Sequence, residues 1–135
     1  MIAVSEEQRF RKEERLRRRR EYLAVQRRGA KIHLEQLLAF VRPSPEGRRV
    51  GITVSKKVGK AVIRNRVKRL LREVWRRSKQ LFPKQHDLVI VAKKGAAGAT
   101  FEELRDQLQQ LAKKIERKLR STSFAMSSRE NARER

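Results

Sequence analysis

Positive charge is concentrated in one stretch of the 135-residue chain, and this limits how the stretch can fold. Residues 48–79 hold thirteen lysines and arginines but only one acidic residue, Glu73. Such a segment becomes ordered only if its few apolar residues share one face and its charges point outward. Because the stretch contributes +12 to a formal net charge of +22, a polyanionic partner, most commonly a nucleic-acid backbone, is predicted to bind there.

The charged stretch contains the pattern of a helix that runs from Lys60 to about Phe82 and is ended by Pro83. Its apolar stripe at helical spacing consists of Ile63, Val67, Leu70, Leu71 and Val74, with Ser78. The opposite side is predicted to carry Asn65, Lys68, Arg69, Arg72, Arg76 and Lys79, with Arg64 and Arg66 flanking the stripe. Glu73 is interpreted as a partner in a surface ion pair.

Strand patterns lie on both sides of this helix. The composition of residues 31–42 is strand-like, and 43–47 is a turn rich in proline. Alternating apolar residues predict a half-buried strand over 49–55, paired with the preceding strand as a hairpin. Residues 88–92 are continuously apolar, which is typical of a strand buried on both faces.

Two further helices complete the predicted fold. The first covers residues 18–28 and is ended by Gly29. The last begins at a capping box formed by Thr100 and Glu103. Helices and strands in this order predict an α+β sandwich, in which the helices pack on a small sheet.

Composition divides the chain into three segments: a basic, flexible tail at 1–14, a single domain at 15–120 and a disordered tail at 121–135. The chain has no cysteine, which excludes disulfides and thiolate metal sites. Its apolar stretches are too short to cross a bilayer, and no signal peptide is visible, so a cytoplasmic protein without membrane contact is expected.

The chain offers few groups for catalysis of its own. His86 and Asp87 are neighbours at the start of a strand, where adjacent side chains point to opposite faces, so they cannot form a dyad within the strand. Metal-dependent nuclease chemistry needs at least two converging acids, but the basic stretch has only Glu73. We therefore predict no catalytic residue and no metal site in the protein.

The nineteen residues SKKVGKAVIRNRVKRLLRE, at 55–73, closely resemble the signature of the protein subunit of bacterial ribonuclease P. The centre of this signature is the RNR motif, here Arg64-Asn65-Arg66. The resemblance extends from about Arg15 to Ile115, so both tails lie outside it.

The resemblance implies an α-β-β-β-α-β-α two-layer sandwich, similar to the second domain of a ribosomal small-subunit protein, with a left-handed β-α-β crossover. It also implies a role as the RNA-binding cofactor of an endoribonuclease that removes the 5′ leader from precursor tRNA. In this family the catalytic centre is in the RNA subunit, which also holds most of the Mg²⁺. The implied partners are ribonuclease P RNA and precursor tRNA, with no obligate protein partner.

Site residues follow from the resemblance by position. Contacts to the catalytic RNA are expected from Lys56, Lys57, Lys60, Arg64, Asn65, Arg66, Lys68, Arg69 and Arg72. Tyr22 and Phe40 are expected to bind the leader in a cleft across the sheet, where single-stranded bases can stack on aromatic rings. The alternative for both aromatic residues is an ordinary place in the core. One turn after Tyr22 the chain has Gln26, where many relatives have a second aromatic residue.

Three rival functions are weighed against this interpretation. A ribosomal or ribosome-assembly protein that binds ribosomal RNA would have the same strong positive charge, but the nineteen-residue signature argues against it. A DNA-binding regulator would read the major groove with the main helix, yet no dimerisation element is evident. A protein-only nuclease lacks the acids that it needs.

Overall fold

The computed structural model describes residues 12–133, with side chains described over 13–120. Its helices and strands are α1 (Arg19–Arg28), β1 (Ala30–His33), β2 (Leu37–Pro43), β3 (Arg49–Val54), α2 (Ala61–Ser78), β4 (His86–Ala92) and α3 (Phe101–Arg133). This order confirms the predicted α+β fold and its α-β-β-β-α-β-α sequence of elements.

The four strands form one sheet in the order β1-β2-β4-β3. β2 is antiparallel to both β1 and β4, whereas β3 is parallel to β4. The predicted hairpin between β2 and β3 is therefore wrong. β4 separates these two strands because its continuous apolar sequence needs cover on both sides, and the centre of the sheet provides it. α2 connects the parallel strands β3 and β4; the left hand of this crossover stays a prediction.

α2 and α3 cover one side of the sheet, here called the closed face, which carries Ala39, Val50 and Ile90. These residues belong to a cluster of 23 buried apolar side chains, which is the main core. The predicted stripe of α2 supplies Val67 and Leu71 together with Val74 and Ser78, all buried. Trp75, which the stripe did not include, is also buried, and Ile63 and Leu70 are partly buried.

α1 covers part of the other side, here called the open face, which carries Phe40, Val89 and Val91. Among the residues whose side chains are described, its buried apolar cluster consists of Leu16, Val25 and Val89. Tyr22, Phe40 and Val91 pack against this cluster and remain partly exposed. The sheet therefore presents a partly accessible apolar surface on the side of α1.

The segment before α1 is held to the rest of the protein. Lys12–Glu14 form a turn of 3₁₀ helix, and the Lys79 ammonium donates hydrogen bonds to both Glu14 carboxylate oxygens at 2.9 and 3.0 Å. Lys79 is thus buried, not on the outer side of the helix as predicted, because Glu14 covers it. The sequence predicts a flexible tail over 1–14, but residues 12–14 form this 3₁₀ turn and are held by Lys79. Residues 1–11 lie outside the described part of the chain.

α3 begins at the predicted capping box, where the Glu103 amide donates to Thr100 Oγ1 at 3.2 Å. The helix continues through residues 121–133, where the sequence predicts a disordered tail. Neither glycine nor proline occurs between 101 and 133, so nothing in the sequence breaks the helix. The domain boundary at residue 120 stays a prediction.

Candidate nucleic-acid interface

The nine residues predicted to contact RNA all lie on α2 or on the loop before it. Seven of them are exposed, namely Lys56, Lys57, Lys60, Asn65, Arg66, Arg69 and Arg72, while Arg64 and Lys68 are half-buried. Burial of the apolar stripe turns the charged side of α2 outward. The sequence thus builds a positive surface on the outside of a helix that the core holds in place.

The loop before α2 places three lysines at the beginning of the helix. Lys56–Val58 form a 3₁₀ turn that the buried Val58 side chain anchors. Gly59 follows with φ +153°, and a Cβ there would lie 3.1 Å from the Ile63 side chain, so the close approach favours glycine. The first amide groups of α2 have no helical carbonyl partner, and they add partial positive charge beside Lys60.

The two arginines of the RNR motif point in different directions. At about 100° per residue, Arg64 and Arg66 are separated by about 160° around the helix axis. The Arg66 guanidinium donates to the carbonyl oxygens of Ala97 and Ala99, each at 3.3 Å, so Arg66 also ties α2 to the loop before α3. The Nε of Arg64 is buried and has no hydrogen-bond partner among the described residues.

Arg64, Lys68 and Arg72 are spaced one turn apart and share the flank of α2 that faces away from Arg66. Arg72 lines a pocket of about 70 Å³ together with Tyr22, on the side of α1. This row of three cations therefore connects the outer side of α2 to the rim of the open face.

Glu73 neutralises part of the positive surface, as the predicted ion pair requires. It accepts hydrogen bonds from Arg76 and, at 2.9 Å, from Nε of Arg77. The hydrogen bond from Arg76 is the main reason that the pKa of Glu73 lies below its ordinary value. Glu73 thus stays ionised, and it restrains the two arginines at the end of α2.

Tyr22 packs directly on the edge strand β3. A Cβ at Gly51 would lie 2.4 Å from the Tyr22 ring, so the ring occupies the space that a larger residue would fill. Burial raises the pKa of Tyr22, while a backbone hydrogen bond with Ile52 and the charge of Arg72 act in the opposite direction. Tyr22 therefore has a packing role in the fold, and it still exposes part of its ring.

Strand register arranges the open face in two rows across the sheet. One row consists of Lys31, Phe40, Val89 and Gly51, and the next consists of His33, Leu38, Val91 and Thr53. Phe40 is partly exposed, and the Lys31 ammonium lies 6.0 Å from the centre of its ring. Aromatic rings with cations at both ends of the sheet can stack nucleobases and bind the phosphates between them.

The position of α1 depends on a charged cluster that sequence reasoning missed. Arg49 forms a bidentate pair with the buried Asp87, with both N···O distances 2.9 Å, and also contacts Glu21 of α1 at 3.2 Å. Glu46 is 2.7 Å away. The hydrogen bond that Arg49 donates to Asp87 is the main cause that raises the pKa of Arg49. Arg49 belongs to the basic stretch, yet it is directed into the fold because β3 pairs with β4.

The described residues place no catalytic constellation beside this surface. Within them, no group of three His, Cys, Asp or Glu side chains could hold a metal ion. Asp87 is occupied by Arg49, and His86 Nδ1 lies 2.8 Å from the Lys84 carbonyl oxygen. No helix in the described part of the chain is long and apolar enough to cross a membrane.

Comparison with known sequences relates this surface to one family. The sequence profile of the family described as Ribonuclease P matches residues 10–116, a range that contains α2 and the open face. The ribonuclease P protein component of Citrifermentans bemidjiense is 47% identical over 100 residues, covering 73% of this chain and 85% of that protein. The one from Bacillus velezensis is 38% identical over 116 residues, covering 84% and 99%.

Solved structures agree with the sequence comparison. The Staphylococcus aureus RNase P protein superposes with a TM-score of 0.69 at 26% identity, covering 76% of this chain and 94% of that one. The RNase P protein of Thermotoga maritima gives a TM-score of 0.68 at 35% identity, covering 75% and 96%.

Proposed function

Because the chain belongs to the bacterial ribonuclease P protein family, we propose that two separate surfaces carry out its cofactor role in that endoribonuclease. The outer side of α2 binds ribonuclease P RNA, and the open face of the sheet binds the 5′ leader of precursor tRNA. The observation that carries this proposal is the sheet itself, which separates a basic helix surface from a partly exposed aromatic surface.

Charge and shape favour structured RNA as the partner of α2. The nine predicted residues include eight cations, which can neutralise phosphates along α2 and the loop before it. Arginine can also pair with two phosphate oxygens at once, which suits a fixed docking site. Arg66 contributes while it is held by Ala97 and Ala99, so this contact is organised before RNA binds.

The open face favours a single strand. Its aromatic residues, Tyr22 and Phe40, are partly exposed, so unstacked bases can reach their rings. Stacking is worth about 1–3 kcal/mol per base and tolerates any sequence, which suits leaders that vary. Gln26 on α1 is half-buried, so it leaves the stacking to these two rings.

The protein does not supply the reacting groups in this proposal. The described side chains offer no suitable carboxylate cluster for Mg²⁺, so the metal is held mainly by the RNA subunit, which carries out the hydrolysis. The protein reduces the repulsion between two polyanions, substrate and catalytic RNA. We expect it to lower the Mg²⁺ concentration that cleavage requires.

Cleavage of precursor tRNA at low Mg²⁺ by a bacterial ribonuclease P RNA tests the cofactor role. We expect product only when RNA and protein are combined, with none from the protein alone. If the protein binds RNA but leaves this cleavage unchanged, the function is wrong, and competition with ribosomal RNA then tests the ribosomal alternative. Cleavage by the protein alone would contradict the proposal that the reacting groups belong to the RNA.

Two pairs of variants test the division between the surfaces. Arg64→Ala with Arg69→Ala removes two cations from α2 and leaves the Arg66 contacts intact. It should weaken binding to ribonuclease P RNA, whereas Arg105→Ala with Arg120→Ala on α3 should not. Tyr22→Ala should weaken binding of precursor tRNA more than mature tRNA, while Tyr22→Phe keeps the ring and the preference. Equal losses on both tRNAs would assign Tyr22 to packing alone.

A further inference from the structure

A second basic surface lies at the other edge of the sheet, away from α2. Strand β1 forms this edge, and α3 runs alongside it. Between them is an open groove lined by Lys31, Ile32, His33, Lys114, Arg117 and Lys118. Four of these six residues carry a positive charge, and none is acidic.

Two lysines of α3 follow the edge of β1. Lys114 Nζ donates to the His33 carbonyl oxygen at 3.2 Å, and Lys118 Nζ donates to the Lys31 carbonyl oxygen at 3.4 Å. Each ammonium has three donors, so these contacts leave capacity for a further acceptor. Arg117 is exposed and makes no hydrogen bond or ion pair within the described residues. The groove therefore presents a fixed row of cations in solvent.

This groove is continuous with the open face. Lys31 and His33 each end one of the two rows that cross the sheet, so they belong to both surfaces. Lys31 lies over the Phe40 ring and also lines the groove. A strand of RNA that crosses the sheet past Tyr22 and Phe40 leaves it over β1, where α3 offers the next cations.

We propose that the groove between β1 and α3, here called the edge track, binds phosphates of the precursor-tRNA leader beyond the segment that stacks on the sheet. This inference rests on the proposed function of the open face and extends it. The edge track has three lysines and an arginine but no Phe, Tyr or Trp, which suits backbone phosphates better than stacked bases. Binding at the edge track makes affinity depend on leader length, since only a leader long enough to extend past the sheet reaches it.

The same lysines have a structural role that the test must separate. Unpaired carbonyl groups of an edge strand invite pairing with another chain, and lysines beside the edge discourage it. That role needs the Lys114 and Lys118 contacts but not Arg117. Arg117→Gln alone therefore removes a cation of the edge track without removing a contact to β1.

Binding of precursor tRNA to the holoenzyme, with leaders of about 4 and about 16 nucleotides, distinguishes these roles; the two lengths span the range that small single-strand-binding domains cover. The test variant combines Lys114→Gln, Arg117→Gln and Lys118→Gln. The control combines Arg105→Gln, Lys113→Gln and Arg120→Gln, which removes as much charge from exposed positions of α3 that do not line the groove. A thermal melt of each variant reports on folding.

We expect the test variant to lose about tenfold in affinity for the long leader, with little change for the short one and little change in the control. The salt dependence of long-leader binding should become less steep, because fewer counterions are released. Arg117→Gln should show part of the same length-dependent loss with an unchanged melting temperature.

Three results would overturn the edge track. Equal losses on both leaders, or an equal loss in the control, would show a general effect of charge. Weaker binding of ribonuclease P RNA by the test variant alone would assign the groove to that RNA. If the unaltered protein changes neither cleavage nor leader binding, the proposed function itself has failed. That outcome differs from failure of the edge track alone, in which the unaltered protein still acts and the test variant shows no loss specific to the long leader.

Discussion

The two faces of the sheet differ in what covers them. The closed face packs against two long helices and contributes to a cluster of 23 buried apolar residues, whereas the buried cluster of the open face has three. Burial of apolar area is the main source of stability, so the closed face supports the fold. Tyr22 and Phe40 can remain accessible on the open face at a small cost in stability, because packing on the closed face already holds the strands in place. Apolar burial is thus concentrated on one side of the sheet, and the proposed leader-binding surface lies on the other.

The largest effect is expected on the closed face, from Trp75→Ala. Trp75 is 1% exposed, and its ring centre lies 4.8 Å from that of Phe82. Its loss should lower the free energy of unfolding by about 3–5 kcal/mol, measured by urea denaturation. The control is Val62→Ala on the same helix, where the side chain is 81% exposed and little change is expected. Similar losses for both variants would contradict this account of the core.

The next largest effect is expected from Arg49→Met, because Arg49 links β3 to β4 and to α1. The substitution leaves Asp87, 3% exposed, without its bidentate partner, and releases Glu21 of α1. Breaking a buried ion pair costs about 3–5 kcal/mol, and Arg49→Met should lower the free energy of unfolding by most of this amount.

Arg49→Met with Asp87→Leu should restore much of that stability in urea denaturation, because no charge is then left buried. Leader affinity should remain low in the double variant, since Glu21 still lacks its partner. Full recovery of leader affinity would show that Arg49 does not position α1.

A smaller effect, confined to the open face, is expected from Gly51→Ala. The new methyl group would clash with the Tyr22 ring, so the ring must move at a cost of about 1–3 kcal/mol. Leader affinity should fall as it does for Tyr22→Ala, while binding to ribonuclease P RNA stays unchanged. Gly98→Ala, where a Cβ meets no atom within 4 Å, is the matched control, with unchanged stability and binding.

The smallest effect is expected from Glu73→Gln on the outer side of α2, because an exposed ion pair contributes at most about 1 kcal/mol. The pKa of Glu73 is lowered in the folded protein, so its stabilisation is present above pH 4.5, the ordinary value, and is lost as pH falls through the lowered pKa. The difference in melting temperature between the two proteins should therefore disappear in acid. A difference that grows in acid would contradict the assigned ion pair.

The helices were predictable because their signals are local. The stripe that includes Val67 and Leu71 and the capping box at Thr100 are each visible within a few turns of sequence, and the structure confirms both. Trp75 was missed because it lies at the edge of the stripe, where only the neighbouring elements decide whether a side chain is covered.

Contacts between distant segments were not predictable in this way. Lys79 looks like any other cation of the basic stretch, and only Glu14, 65 residues earlier, explains its burial. Likewise the inward direction of Arg49 depends on its strand partner Asp87, a pairing that the predicted hairpin did not include. The RNR motif was recognised from the sequence, whereas the anchoring of Arg66 by Ala97 and Ala99 required the fold.

The central place of β4 also sets the order in which the protein can form. β2 and β3 do not pair with each other, so no continuous sheet exists until residues 86–92 are available to join them. During synthesis the whole basic helix leaves the ribosome before that strand, because it precedes it in the chain. Its apolar stripe has no complete sheet to pack on in this interval, and pairing over such sequence separation is slow. The segment proposed to bind RNA is therefore made before the scaffold that holds it, and we expect closure of the sheet to be a late step in folding.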